Sequence, residues 1–314
     1  MAFLYEKKRS KKDDHEYIEI TGYEGNGEKL IIPDSIEGLP VEAIGNHSFS
    51  GREDIISVEI PESVKILYGF AFHNCKNLER ISIYDSLTDY YDGVCRQCDK
   101  LTVIDITVNN SWYEVIRNFL ADSDRTLEFR IHVKTEEGYD EARLTFPEFV
   151  YDFNENTMAR TIQFSIAGSG YAYRECVDRR SIDYREYDRL FDKAVIDGNS
   201  LSENIAMGRL LFPKELDMGY REVYERYIRK NGAGILCRLI DEKNEDENLE
   251  LVKALLEYRC ADAQNNRNDG DKLLADADVD KAIEHAAGSG KTLFSAALMD
   301  AGRAAAGSSM EFAL

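Results

Sequence analysis

The sequence predicts an α+β chain: an N-terminal solenoid of short parallel strands, followed by an all-helical stack. Three observations predict it. A 23-residue unit recurs without gaps from Val41 to Asn109, each unit ends in alternating apolar and polar residues, and from Ser200 onward apolar residues recur at helical spacing. The resulting organisation is a repeat domain over 1–125, a mixed connecting region over 126–198 and a helical domain over 199–314.

The repeat units are VEAIGNHSFSGREDIISVEIPES from Val41, VKILYGFAFHNCKNLERISIYDS from Val64 and LTDYYDGVCRQCDKLTVIDITVN from Leu87. Val41, Val64 and Leu87 coincide, as do Ile44, Leu67 and Tyr90. Further columns are Phe49, Phe72 and Cys95; Ile55, Leu78 and Leu101; Val58, Ile81 and Ile104; and Ile60, Ile83 and Ile106. The terminal alternation, as in VEI, ISI and IDI, has the period of two expected of a strand with one buried face. Strands that recur at this distance cannot be joined by tight hairpins. They stack in parallel, one per coil, each coil burying its apolar side against the next.

Both ends of the array need covering. Upstream, strand-like IEI (18–20) and LII (30–32) flank Gly22, Gly25, Asn26 and Gly27, which predicts a hairpin that shields the first coil. Downstream, Asn110-Ser111 precedes WYEVIRNFLADSD, in which Trp112, Val115, Ile116, Phe119 and Leu120 form one apolar stripe. That pattern predicts a capped helix closing the solenoid.

The elements AIGNHSFSGREDIISVEIPESV and ILYGFAFHNCKNLERISI resemble the BspA-type leucine-rich repeats of bacterial proteins. Those have the form I-G-x-x-A-F-x-x-C-x-x-L-x-x-I-x-I-P. Phe49, Ala71, Phe72, Cys75, Leu78, Ile81 and Ile83 occupy its positions, whereas Ser48, Arg52 and Tyr84 depart from Ala, Cys and Pro. In the third unit Cys95 replaces Phe. The resemblance spans residues 17–109 and implies a binding or adhesion module rather than an enzyme. It makes the predicted repeat domain a leucine-rich-repeat solenoid.

Beyond the repeats, TLEFRIHV (126–133) alternates strictly, and RTIQFSI (160–166) has the same look; both are expected to extend the sheet irregularly. Tyr184, Tyr187, Phe191 and Val195 are spaced for a helix. Ser200 with Glu203 has the form of a capping box. Val223, Tyr224, Tyr227 and Ile228 mark another helix. Two helical pairs follow, AGILCRLIDEKNEDENLELVKALLEY and VDKAIEHAAGSGKTLFSAALMDAG. In the second, Ala282, Ala286, Ala287, Gly290, Leu298, Met299, Ala301 and Gly302 resemble an ankyrin repeat, so the helical domain is expected to be an ankyrin-like stack.

Charge narrows the partners. Asp plus Glu outnumber Lys plus Arg by 59 to 39, a formal net charge of −20. Nucleic-acid binding depends on neutralising phosphates, so neither nucleic acid nor an anionic membrane is an expected partner. An unidentified protein, basic or neutral, is. With 43% hydrophobic and 31% charged residues the chain has an ordered, globular composition. The N-terminal stretch has no apolar run resembling a signal-peptide core, and six cysteines lack the paired spacing of a disulfide framework. The expected location is cytoplasmic. Lys7, Lys8, Arg9, Lys11 and Lys12 are followed at once by Asp13, Asp14 and Glu16, as in a solvated strand connection.

Candidate chemistry is sparse. Gly288-Ser289-Gly290-Lys291-Thr292 looks like the end of a phosphate-binding loop, but His285 stands where that loop needs its first glycine, and a helix precedes it. Cys95-x-x-Cys98 is half a zinc site without a second half, and both cysteines fall in core-facing columns. The acidic run DEKNEDENLE (241–250) lacks the central glycine of a calcium loop. His15, His47, His73, His132 and His285 form no grouping. No residue is assigned a catalytic, cofactor-binding or metal-ligating role. GSGYAYREC, from Gly168, combines flexible backbone, aromatic surface and a fixed charge, so Tyr171, Tyr173 and Arg174 are the candidate partner-binding residues. The competing reading of that segment is a strand-to-helix connection with buried tyrosines. The functional expectation is a non-catalytic protein–protein interaction scaffold. The alternative is an enzyme or ligand-dependent regulator with its site in residues 143–200.

Overall fold

The computed structural model describes residues 2–156, 161–260 and 271–310, with side chains for all of these except 152–164, 199 and 302–310. Arg160 of RTIQFSI and stretches 261–270 and 311–314 of the expected helical domain lie outside the described residues. The chain forms two compact units, Met1–Asp197 and Gly198–Leu314.

In the first unit, each coil but the last contributes two strands, one to each of two sheets, which corrects the expectation of one strand per coil. The elements run β1 (Ala2–Arg9), β2 (Glu16–Glu24), β3 (Lys29–Ile31), β4 (Ser35–Ile36), β5 (Leu39–Ile44), β6 (Ser57–Glu59), β7 (Ile66–Leu67), β8 (Arg80–Tyr84), β9 (Asp89–Tyr90) and β10 (Val103–Val108). Helix α1 (Glu114–Asp122) and strands β11 (Leu127–Lys134) and β12 (Tyr139–Phe146) follow. One sheet is ordered β1-β2-β5-β7-β9, with β4 paired to β5, and the other β12-β11-β10-β8-β6-β3. The coils stack in the register that the columns require. Leu30, Val58, Ile81, Ile104, Phe129 and Leu144 face one another across successive strands and are all buried. Ile83, Ile106, Ile131 and Ala142 form the adjoining row, and Ile60 joins it through its N–H to Ser82 O at 2.8 Å. In the other sheet Ile20, Ile44, Leu67 and Tyr90 align in the same manner.

The corners obey the period too. Positions 47, 70 and 93 (His47, Phe70 and Gly93) all have φ between 57° and 73°, as do Gly51, Asn74 and Gln97 at positions 51, 74 and 97. Each coil thus turns through two left-handed residues, a conformation that costs side-chain-bearing residues energy and is repeated because every coil must make the same bend. The His47 ring stacks on Phe70 at 5.1 Å, and Phe70 lies over Gly93, where a Cβ would come within 2.6 Å of its ring.

Two expectations about the ends are corrected. IEI and LII do not form a hairpin: they lie in β2 and β3, which belong to different sheets, because residues 25–28 turn a solenoid corner. The covering hairpin is β1–β2, antiparallel, with the basic cluster on β1 and the connection. Nor does α1 close the array. It takes the position after β10 where earlier coils place a β5-type strand, and β11 then pairs with β10 in parallel over six residues, without irregularity. Asp122 at the end of α1 accepts hydrogen bonds from the N–H groups of Gly93 and Cys95 and from Tyr90 Oη. The helix begins at Glu114 without a side-chain cap. Asn110 is instead held by Asp85, a buried carboxylate that accepts from the backbone N–H of Asn109, Asn110 and Trp112. Those three donors lie in a loop that has no helix or strand to satisfy them.

After β12, β13 (Val150–Asn156) and β14 (Thr161–Ala167) pair only with each other among the described residues, so RTIQFSI leaves the main sheet. Three short helices follow: α2 (Gly170–Arg174), α3 (Tyr184–Arg189) and α4 (Phe191–Asp197). Tyr187 packs on Phe146 at 5.8 Å and donates its hydroxyl to Thr145 O, covering the last inward-facing residue of β12.

The second unit contains α5 (Asn199–Leu211), α6 (Met218–Asp241), α7 (Glu245–Glu257), α8 (Asp276–Gly288) and α9 (Thr292–Met310). Ser200 lies inside α5 and does not cap it; Glu203 pairs instead with Arg238 of α6 at 2.5 Å. Two predicted helices merge into the 24-residue α6, which runs through Gly232. That glycine is required by a close approach, since a Cβ there would lie 2.9 Å from both Leu274 and Asp278. Ile235, Leu239, Val252, Leu255, Ala282, Ala286, Phe294 and Leu298 supply the core.

Candidate functional site

The segment from Pro147 to Glu175 is built around close backbone crossings. Gly168 has φ +90°, and a Cβ on Gly170 would lie 2.2 Å from Pro147 O. These glycines let the start of α2 pass directly under the β12–β13 connection. Arg174, one turn later, donates to five backbone carbonyls, those of Leu120, Ser123, Arg125, Pro147 and Gly170, at 2.5–3.3 Å. Burial pushes its pKa down to about 10. The planar fork satisfies carbonyls left open where α1 ends.

The three candidate residues therefore separate. Arg174 is a structural joint, and Tyr173 is buried, with its ring 4.7 Å from Tyr187 and no hydrogen-bond partner for its hydroxyl among the described residues. Burial raises the Tyr173 phenol above its ordinary pKa, and the neighbouring Tyr187 adds to the shift. Of the three, Tyr171 reaches solvent, at 45% exposure. Its ring lies 5.8 Å from Phe149, over which the Arg174 guanidinium sits at 4.8 Å. Together with Arg117, Leu120 and Asp124 they line an open cleft of about 300 Å³. Beside it in sequence, Val150 and Tyr151 are more than half exposed, and the strand register sets Tyr151 against Ile166, itself 36% exposed. Arg117 holds Glu114 and Asp178 only at 3.7 Å, which leaves its charge available to the cleft.

Other sequence candidates lie elsewhere. Cys75 and Cys98 donate from Sγ to Phe49 O and Phe72 O at 3.1 and 3.0 Å, one coil apart, as core fillers. Arg52, in the same column, reaches Tyr23 O and Gly25 O while pairing with Asp54. Gly288–Thr292 is the α8–α9 turn, with Lys291 paired to Glu245. The acidic run contains the α6–α7 connection. His15 bridges Asp13 and Glu42, and His285 meets Asp241 at 2.8 Å. Among the described residues no group of three or more His, Cys, Asp and Glu side chains is placed to hold a metal ion, and no helix is long and apolar enough to cross a membrane. Sequence reasoning missed Phe149 and Asp85. Phe149 sits outside any periodic stretch, whereas the signal that could have found Asp85 is an acid directly after the strand of its repeat.

No curated protein matches the chain. Among solved structures, it is similar to a leucine-rich-repeat protein of T. pallidum, at 20% identity and a TM-score of 0.23, over 33% of this chain and 68% of that one. A leucine-rich cell surface protein of Faecalibacterium prausnitzii has 17% identity and a TM-score of 0.23, with 44% and 58% covered. A leucine-rich-repeat protein of Bacteroides ovatus has 15% identity and a TM-score of 0.21, with 35% and 49% covered. The chain thus spans about half to two thirds of these structures' lengths. The family model described as BspA type Leucine rich repeat region (6 copies) matches residues 23–134, so the stacked coils of that stretch are similar to leucine-rich repeats of this type.

Proposed function

We propose that the chain is a non-catalytic scaffold that binds another protein, with the β13–β14 hairpin and the Tyr171 cleft as a principal contact. Repeats of this type commonly mediate protein–protein interaction or adhesion, which supports the reading at the level of the family. The observation that carries it is local. Val150, Tyr151, Ile166 and Tyr171 expose large apolar side chains on or beside a hairpin that pairs with no other described strand. Exposed apolar clusters and open strand edges both favour protein contacts. The α8–α9 pair, with its glycine turn and buried Ala282, Ala286 and Leu298, supports an ankyrin-like second interaction module. The long α6 departs from that pattern.

Affinity capture from a native lysate with Val150→Asp/Tyr171→Ser beside the wild type tests the reading. At least one partner should be enriched by the wild type and lost from the variant, with circular dichroism unchanged. Identical captured sets, or turnover of a substrate by the wild type alone, would overturn it.

A further inference from the structure

The outward side of the sheet β1-β2-β5-β7-β9 sets a carboxylate among tyrosines. Ile18 and Ile20 of β2 are buried, so Tyr17 and Glu19 between and before them point to the other face. Tyr68 and Tyr91, one coil apart just after β7 and β9, stack with ring centroids 5.2 Å apart and planes at 25°. In the preceding coil this column holds Gly45. The Glu19 carboxylate takes that rung: a Cβ on Gly45 would lie 3.0 Å from Glu19 Oε1. Only 15% of the Glu19 side chain is exposed, and its ion pair is Lys8 at 3.9 Å, beyond hydrogen-bond reach. The Lys8 ammonium sits at 2.6 Å from Glu6 instead. Burial raises the Glu19 carboxyl above its ordinary pKa, and the Tyr17 and Tyr68 phenols are raised by burial and then by charge around them, that of Glu19 included. Much of the desolvation that an ion pair would require of this carboxylate has therefore already taken place on folding.

We propose that this face binds a basic, extended peptide segment of a partner protein, seating an arginine against Glu19 with its plane on the tyrosines. Charge complementarity selects the occupant. On this sheet Glu6 and Glu19 lie beside the Lys8 ammonium and Glu42 beside His15, in a chain of net charge −20. Arginine is favoured over lysine because its guanidinium is weakly hydrated, stacks on aromatic faces and forks onto a carboxylate. The inference rests on the reading of the chain as an interaction protein, but uses a surface separate from the hairpin.

The test is fluorescence anisotropy with the full chain and a labelled Gly/Ser peptide carrying three arginines, beside its lysine counterpart, at about 0.15 M salt. The arginine peptide should bind more tightly than the lysine one. Glu19→Gln and Tyr68→Leu should each weaken it about tenfold, the second without any change of charge. Glu53→Gln, an exposed carboxylate at a corner, should change it by less than about twofold. Equal affinity for the two peptides, no effect of Tyr68→Leu, or an equal effect of Glu53→Gln would overturn the proposal. Val150→Asp should leave peptide binding intact, so failure here and failure of the hairpin reading are distinguishable.

Discussion

Phe49 and Phe72 lie in a parallel stack, with ring centroids 5.2 Å apart and 6° between their planes, although 23 residues separate them in the chain. The pair shows how the repeat converts spacing into packing: identical side chains one coil apart meet face to face, and Phe72 is fully buried as a result.

Phe72→Ala should therefore destabilise the protein by about 3–5 kcal/mol, the usual cost of a cavity left by a buried phenyl ring. Phe72→Leu should cost less because more of the volume is kept. Urea unfolding followed by circular dichroism measures both. A loss under about 1 kcal/mol for the alanine variant would show that the coils do not depend on this column.

Thiol labelling should separate the cysteines. Cys75, Cys95, Cys98, Cys176 and Cys260 are buried and Cys237 is half-buried. The hydrogen bond with Cys75 lowers the Cys98 pKa, but contact with Cys95 and burial outweigh it and push the value up to about 12. Since the thiolate is the reactive form, an aromatic disulfide reagent at pH 8 should modify Cys237 first and Cys98 only on unfolding. Peptide mapping of the labelled protein checks the order.

Arg174→Lys should destabilise almost as much as Arg174→Gln, about 3 kcal/mol, because one ammonium cannot satisfy five carbonyls arranged around a fork. The midpoint of thermal unfolding reports this. Full stability in the lysine variant would mean that charge alone, rather than the geometry of the joint, holds α1 and α2 together.

Two groups give opposite pH dependence. His15 hydrogen-bonds Glu42 and Asp13 at 2.9 and 2.8 Å, and these contacts raise its pKa above about 6.5. The folded state thus holds the proton more tightly, so the stabilisation is complete below pH about 6.5 and is lost as pH rises through the folded value. Asp54 is lowered to about 2, chiefly by its hydrogen bonds from Arg52. Its stabilisation is complete above pH about 3.9 and is lost as pH falls through about 2. Melting curves across pH should show His15→Gln flattening the neutral limb only, and Asp54→Asn the acid limb only.

Much of the solenoid was legible because its pattern is local and periodic. The rows through Val58, Ile81 and Ile104, and through Ile83 and Ile106, follow from columns that any reader of the sequence can align. The candidate site was less so. GSGYAYREC drew attention for its composition, yet Tyr173 is buried and Arg174 acts within the chain, whereas Tyr171 and the unnoticed Phe149 line the cleft. Exposure depends on what else covers a side chain, and nothing in a nine-residue stretch encodes that.

By itself, then, the sequence determined one strand of each repeat, which of its residues face inward and how those strands register, whereas the second strand of each coil emerged only in the structure. Each strand's neighbour is the same element one period later, so local alternation dictates the long-range pairing. Only the tertiary structure decided that β1 rather than LII covers β2, that α1 stands in for a strand, that Asp85 holds the loop ahead of that helix, and that Arg174 joins five carbonyls. Those contacts link segments with no shared period, and their partners are chosen by the path of the folded chain.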